Sequence, residues 1–367
     1  MELKINSAIK SQTKVSYAIE SAGPLPYDID CGEGINIVMI PPEAKKAFDG
    51  LTFEMLRAYP HSVGIKDSII DYWKDYTALN YKQIVLCDGS ISGLYLINRL
   101  FLEPGDRVLG YVPQFSEYET DVKMYGCAFD GVPLKAENNY KFSPADVLAA
   151  LKPEHKLIYL DNPNNPTGQV IPLAEIETIL QAAQKQGTAV IVDEAYGDYM
   201  PRQNAAANLF AKYDNLIIVK TFSKGFGLAG LRAGYLLLPE QLTPYMGNVT
   251  NPYCMSEISR SIAAKIIRDA AFLPDLQEKT AALKHMLLTH PWKHISIAET
   301  AESTSICLLT HSNPAVDLAG EFAKRRILVI SGSDFYTISK NSARFRIPSE
   351  DDMQKVLTAL EEIDAVD

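Results

Sequence analysis

Cysteine is scarce in this chain: five in 367 residues, at positions 31, 87, 127, 254 and 307, with no Cys-x-x-Cys pair. Such scattered thiols indicate neither a zinc site nor a disulfide framework, and they suit a reducing compartment. No apolar run reaches transmembrane length, and the start MELKINSAIKSQTK is too polar for a secretory leader. A cytoplasmic protein with no membrane partner is therefore expected. Excess positive charge is also missing. A formal charge of −10 and a pI near 5.2 argue against a nucleic-acid partner. The six histidines show no His-Glu-x-x-His or other ligand spacing, so no metal is expected, and His285, His290 and His294 read as a surface cluster. What the chain does have is 47% hydrophobic content, enough for a large core and for two domains.

The most informative stretch is TFSKGFGLAGLRAGY (221–235), which follows the strand-like run NLIIVK. Its glycines let the backbone come close to a bound group. Lys224 is a candidate Schiff-base amine, and Thr221, Ser223 and Arg232 can hold a phosphate. Read alone, the same stretch fits a polar turn with a surface lysine. Two further segments supply the remaining groups that pyridoxal 5'-phosphate (PLP) chemistry requires. In IVDEAYGDY (191–199), Asp193 ends a buried apolar run, at the strand end where open α/β sheets bind ligands. A carboxylate there can keep a pyridine nitrogen protonated, which makes the ring an electron sink. Tyr196 can reach the ring's phenolic oxygen, as can Asn165 of LDNPNNPTG (160–168).

On NNPTG (164–168), DEAY (193–196) and SKGFGLAGLR (223–232), the chain resembles the fold-type I PLP-dependent aminotransferases of class I/II. Within them it is similar to the branch of histidinol-phosphate aminotransferase and threonine-phosphate decarboxylase, from about residue 25 to the C-terminus. The resemblance implies that Lys224 carries the cofactor and moves the proton at Cα, and that Asp193 pairs with the pyridine nitrogen. It further implies that Asn165 and Tyr196 hold the phenolic oxygen, and that Ser223 and Arg232 bind the phosphate.

Weaker matches lie upstream. CDGSISGLYLINRLF (87–101) places Ser90 and Ile91 at a helix N-terminus, where free N–H groups suit a phosphate. The related pattern carries an acidic pair where this chain has Ile91 and Ser92, so only backbone roles carry over. In YVPQFSEYE (111–119), Phe115 falls where the family stacks an aromatic ring on the cofactor. RAYPH (57–61) resembles the motif whose tyrosine reaches the neighbouring subunit's cofactor phosphate, so Tyr59 implies a homodimer.

Between about residues 83 and 240, the strand-like runs QIVL, RVLGYV, KLIYL, AVIVD, NLIIVK and AGYLLL alternate with helical patterns. This predicts an α/β fold with a mainly parallel sheet, of the seven-stranded type by the resemblance. The large PLP-binding domain is expected at 41–250. A smaller α+β domain is expected from 1–40 and 251–367: a helical region over 256–290, strands SICLLT, ILVIS and ARFRI, and a closing helix.

In NSARFRIPSEDD (341–352), Arg344 falls where the family pairs an arginine with the substrate α-carboxylate, although Arg346 shares its strand face. Asn36, in CGEGINIVMIPP (31–42), is carried over as a second substrate-binding residue, with Ile37 and Met39 where the family has proline and glycine. The phosphate-binding arginine of the histidinol-phosphate and threonine-phosphate enzymes is replaced by Ile330 in ILVISGSDF. Unless Arg325 or Arg326 substitutes, an unphosphorylated substrate is expected, apolar or aromatic. The leading expectation is an aminotransferase that exchanges nitrogen between an amino acid and a 2-oxo acid. A PLP-dependent decarboxylase or lyase is the alternative, since these motifs do not select which bond to Cα breaks. A regulatory use of the fold would need a DNA-binding module for which the chain has no spare length.

Overall fold

The structure, a computed structural model, describes residues 3–12 and 26–366. After β1 (Ile29–Asp30), seven strands build the central sheet: β2 (Ile84–Cys87), β3 (Arg107–Val112), β4 (Ala128–Pro133), β5 (His155–Asp161), β6 (Ala189–Asp193), β7 (Leu216–Thr221) and β8 (Gly234–Leu237). Their spatial order is β2-β8-β7-β6-β5-β3-β4. β8 runs antiparallel to both of its neighbours, and the other pairings are parallel.

The period-two alternation of the apolar strands decides which layer each side chain joins. Leu157, Tyr159, Ile191, Ile217 and Val219 point to the face covered by helices Ser90–Phe101 and Ser116–Met124. Ile158, Leu160, Val190, Val192, Leu216 and Ile218 point to the face covered by Gly64–Trp73, Leu173–Gln184 and Glu257–Arg268. β4 escaped the sequence reading because AFDGVP is an edge strand with no buried residue, so it carries no apolar run.

The helical region at 256–290 divides into two helices. Ser256 caps Glu257–Arg268, a short turn Ala270–Phe272 follows, and Leu273–Leu288 begins with Pro274 in its first turn, where proline is tolerated. The first helix packs into the core of the central sheet, whereas Leu283 and Leu287 of the second join the core under the smaller sheet. Leu273 and Leu276 of the second helix still belong to the core of the central sheet, so the change of core falls between residues 276 and 283.

β9 (Ile295–Ile297), β10 (Ile306–His311), β12 (Ile330–Ser331) and β13 (Ser342–Arg346) form an antiparallel sheet in the order β12-β13-β10-β9, covered by helix Glu350–Asp364. The run ILVIS is therefore two strands, because β11 (Ile327–Leu328) pairs with β1 instead. At the N-terminus, the short helix Ser7–Lys10 packs against helix Ser116–Met124 beside the central sheet. His285, His290 and His294 bond separately to Glu302, Glu361 and Ser312 and form no shared cluster.

Candidate active site

A cavity of about 500 Å³ opens at the carboxyl ends of β5 and β6, between the central sheet and the smaller one. Ser90, Ile91, Phe115, Asn165, Asp193, Tyr196, Ser223, Lys224, Arg232 and Arg344 all line it. Ten of the residues selected from the sequence thus converge from segments spread over more than 250 positions.

Asp193 is the last residue of β6 and is buried. It accepts a hydrogen bond from the Tyr159 hydroxyl at 2.9 Å and another from the Ala195 N–H at 3.0 Å. Burial, and then the charge of Asp161, push its pKa up to about 7. Asp161 ends the neighbouring strand in register with Asp193. Burial lifts its pKa to about 6 against hydrogen bonds that hold it down. These come from Tyr111 Oη at 2.6 Å, Asn164 Nδ2 at 3.1 Å, Asn165 N at 2.9 Å and Phe115 N at 3.3 Å. Asp161 therefore holds two cavity-lining residues, Phe115 and Asn165, by their backbones. It was missed in the sequence, although KLIYLD and AVIVD carry the same strand-ending aspartate.

The Lys224 loop is held by Asn36. Asn36 N donates to Lys224 O at 3.0 Å, and its side-chain amide donates to Gly225 O at 2.8 Å and Met39 O at 2.6 Å. Its amide oxygen accepts from Val38 N and Met39 N. Asn36 is thus occupied with backbone and lies outside the cavity lining. Lys224 Nζ sits 5.4 Å from the centre of the Tyr196 ring. Gly34 lies across from both: a Cβ there would fall 1.8 Å from the Tyr196 hydroxyl and 3.3 Å from Lys224 Nζ. Among the described residues the buried Tyr196 hydroxyl has no hydrogen-bond partner, and burial raises its pKa against the charges of Arg344 and Arg346.

At the far end, helix Ser90–Phe101 starts behind Gly89 with no side-chain cap, so its first N–H groups are open beside the cavity. Gly89 has φ of +81°, and a Cβ on it would meet Arg232 Nη2 at 2.7 Å. Its bare backbone lets Arg232 lie across the helix start. Arg232 itself donates to Ala229 O at 3.1 Å and Asp88 O at 3.4 Å. Thr221 stands behind this wall and donates to Ser223 Oγ at 2.9 Å.

On the opposite wall, Arg344 and Arg346 are both buried in β13, not solvated on an edge strand. Arg344 Nη1 donates to Asn165 Oδ1 at 3.1 Å, and Nη2 donates to Gly32 O. Arg346 instead binds the carbonyls of Asp30, Glu33 and Ile347, so the cavity receives Arg344. Ile330 and Leu328 line the same wall. Glu33, Gly34, Ile35, Tyr95 and Glu117 also line the cavity and were not selected from the sequence. Tyr59 lies elsewhere, 70% exposed and stacked on Tyr253 at 4.5 Å.

The donor set fits PLP. A buried carboxylate, an orphaned phenol beside a lysine and a helix start crossed by an arginine match a pyridine nitrogen, a phenolic oxygen and a phosphate. On a mainly parallel sheet, this arrangement marks the PLP-dependent enzymes of fold type I. The family model for aminotransferase class I and II matches residues 28–360, and the chain belongs to that family. It is 32% identical to a histidinol-phosphate aminotransferase of Ruminiclostridium cellulolyticum over 72% of each chain. It is 31% identical to one from Methanococcoides burtonii, over 80% of this chain and 79% of that one. In fold, it resembles the PLP complex of histidinol-phosphate aminotransferase from Sinorhizobium meliloti. That match has a TM-score of 0.82 and 20% identity, over 99% of this chain and 98% of the other.

Proposed function

We propose that the protein transfers an amino group between an unphosphorylated amino acid and a 2-oxo acid, working as a homodimer. The observation that carries the substrate class is the set of cations on the cavity: among the described residues, Lys224, Arg232 and Arg344 are the lysines and arginines in its lining. Each has a use in holding cofactor or α-carboxylate. Ile330 and Leu328 occupy the wall beside Arg344, and Arg325 and Arg326 are engaged away from it. Arg325 pairs with Glu321 and Glu362, and Arg326 pairs with Asp28. Among the described residues, a substrate phosphate against Ile330 would find no counter-charge left over, and burying it so costs on the order of several kcal/mol.

In this reading Lys224 would hold PLP through its amine and would move the proton at the substrate Cα. Asp193 holds the pyridine nitrogen in its protonated form, and Tyr196 and Asn165 bind the phenolic oxygen. The N–H groups at Ser90 and Ile91, with Ser223 and Arg232, bind the phosphate, while Thr221 orients Ser223. Phe115 packs on the ring face. PLP, when bound, supplies the sink for the electron pair left at Cα. Arg344 binds the substrate α-carboxylate in a paired contact, which orients the Cα–H bond toward Lys224. Asn36 acts through the Lys224 loop and not on the substrate. The cofactor-holding domain is residues 41–250, and 1–40 with 251–367 form the smaller domain, whose first helix packs back onto the core of the central sheet.

Homodimer formation is supported by exposed apolar side chains gathered in one stretch of chain, Ile40, Phe48, Phe53, Leu56, Tyr59 and Val63. Tyr59 would reach the partner's cofactor phosphate.

The test is the visible absorbance of the purified holoenzyme as single amino acids and their phosphorylated analogues are added. Loss of the lysine-bound cofactor's band with an unphosphorylated amino acid, and its return with a 2-oxo acid, is expected. Release of carbon dioxide with the band retained would establish the decarboxylase alternative. A response to phosphorylated compounds alone would overturn the substrate class.

A further inference from the structure

Lys284 has no solvent exposure, yet its ammonium reaches no carboxylate within 4.0 Å among the described residues. It sits in helix Leu273–Leu288 and is ringed by oxygens from one turn of chain. These are Thr300 Oγ1 at 2.5 Å, Ala301 O at 2.7 Å, Ile306 O at 2.8 Å, Thr304 Oγ1 at 3.0 Å and Thr304 O at 3.1 Å. Five oxygens share three protons, as they would share a coordinated cation. Burial pushes the ammonium's pKa down to about 8. Hydrogen bonding to so many acceptors works in the opposite direction and favours the charged form.

The clamped turn touches both groups that meet at the substrate end of the cavity. On one side, Ala301 N and Thr304 Oγ1 donate to Gly168 O at 3.1 and 2.7 Å. Gly168 has φ of +76°, and a Cβ on it would fall 2.1 Å from Ile306 O, so this approach depends on glycine. Gly168 N in turn donates to Asn164 O at 2.8 Å, which ties the turn to the loop carrying Asn165. On the other side, Ile306 begins β10, and Leu308 two residues on is the register partner of Arg344 in β13. One ammonium thus holds the origin of the strand that places Arg344 and the turn that abuts the Asn165 loop.

We infer that Lys284 is a positioning residue for the substrate-carboxylate site, setting Arg344 and Asn165 against each other across the junction of the two sheets. It touches neither cofactor nor substrate. The inference rests on the proposed carboxylate role of Arg344. Without the clamp, the turn at 300–306 loses its shared donor, and Arg344 is displaced relative to the reacting carbon. Small misplacements of an orienting group are amplified in the rate.

The test uses holoenzyme of the parent, Lys284→Met, Lys284→Arg and Arg344→Ala in single-turnover reaction with L-alanine, whose α-carboxylate is its only anionic group. Thermal unfolding of each is recorded alongside. Lys284→Met should raise the half-saturating alanine concentration about tenfold, with the limiting rate within about threefold of the parent and the visible cofactor band unchanged. Lys284→Arg should recover part of the loss. In the Lys284→Met, Arg344→Ala double variant, the two effects should fall short of additive. An unchanged half-saturation in Lys284→Met, with activity following only the folded fraction, overturns the inference while leaving Arg344's role intact. If Arg344→Ala itself leaves half-saturation unchanged, the underlying reading of the site fails instead.

Discussion

The Tyr159 hydroxyl donates to Asp193 Oδ2 at 2.9 Å while the Tyr159 ring stacks on Tyr118 at 3.9 Å. The bond leaves Asp193 oriented toward the cavity from the end of a fully buried strand. Burial there makes the carboxylate's charge costly in the absence of a cationic partner, and the Tyr159 bond offsets only part of that cost.

That cost has a pH signature in the cofactor-free protein. Burial lifts Asp193 from 3.8 to about 7, and lifts Asp161 and Asp198 from 3.8 to about 6. Across that window the folded state keeps protons that the unfolded chain has released. Stability therefore falls as pH rises from the ordinary carboxylate range toward 7. Thermal midpoints of cofactor-free protein between about pH 4.5 and 7.5 should decline, and the Asp193→Asn variant should decline less steeply. An equal slope in the variant would assign the effect elsewhere. The same variant should lose about a hundredfold or more of turnover.

Tyr196→Phe separates function from stability. The hydroxyl is buried without a partner among the described residues, so its removal should leave stability unchanged or raise it by about 1 kcal/mol. Turnover should fall about tenfold and the cofactor band should shift, because the phenolic-oxygen contact is gone. Destabilisation on denaturant unfolding by more than about 2 kcal/mol would show that the hydroxyl is a structural group.

The two arginines of β13 should diverge. Arg344→Ala is expected to raise KM for amino acid and 2-oxo acid about a hundredfold. Arg346 holds the carbonyls of Asp30, Glu33 and Ile347, so Arg346→Ala should lower the unfolding midpoint and leave KM of the folded enzyme near the parent's. Steady-state kinetics beside thermal unfolding reads both, and the opposite ranking would exchange their roles.

Subunit mixing tests Tyr59. Lys224→Ala and Tyr59→Ala preparations, each impaired alone, should regain about a quarter of parental activity when unfolded and refolded together, since half of the dimers then carry one complete site. No recovery would mean that Tyr59 serves its own chain or none.

The central sheet was legible because its inner strands are covered on both faces and read as unbroken apolar runs. β4 was not, since an edge strand can carry Asp130, Gly131 and Pro133 without penalty. Lys224, Asp193, Asn165 and Tyr196 stood out because their residue types at motif spacing are rare in combination. Asp161 was overlooked because it serves the site at second hand, through the backbone N–H groups of Phe115 and Asn165 and the side chains of Tyr111 and Asn164, contacts that leave no mark in a sequence. The choice between Arg344 and Arg346 could not be made from alternation, which sends both to one side of β13. It took the carbonyls of Asp30 and Glu33 closing over Arg346. The Lys284 clamp was invisible for a similar reason: four of its five acceptors lie within five residues of chain, but a helix far from any motif supplies the donor.

The cavity's two walls come from different parts of the fold. The cavity-lining residues proposed to hold PLP come from the central sheet, its loops and one helix start, whereas Leu328, Ile330 and Arg344 belong to the smaller sheets. Substrate preference can therefore drift, or be engineered, without disturbing how the enzyme loads its coenzyme. A library confined to positions 328 and 330 would explore new side-chain acceptance on an intact catalytic apparatus.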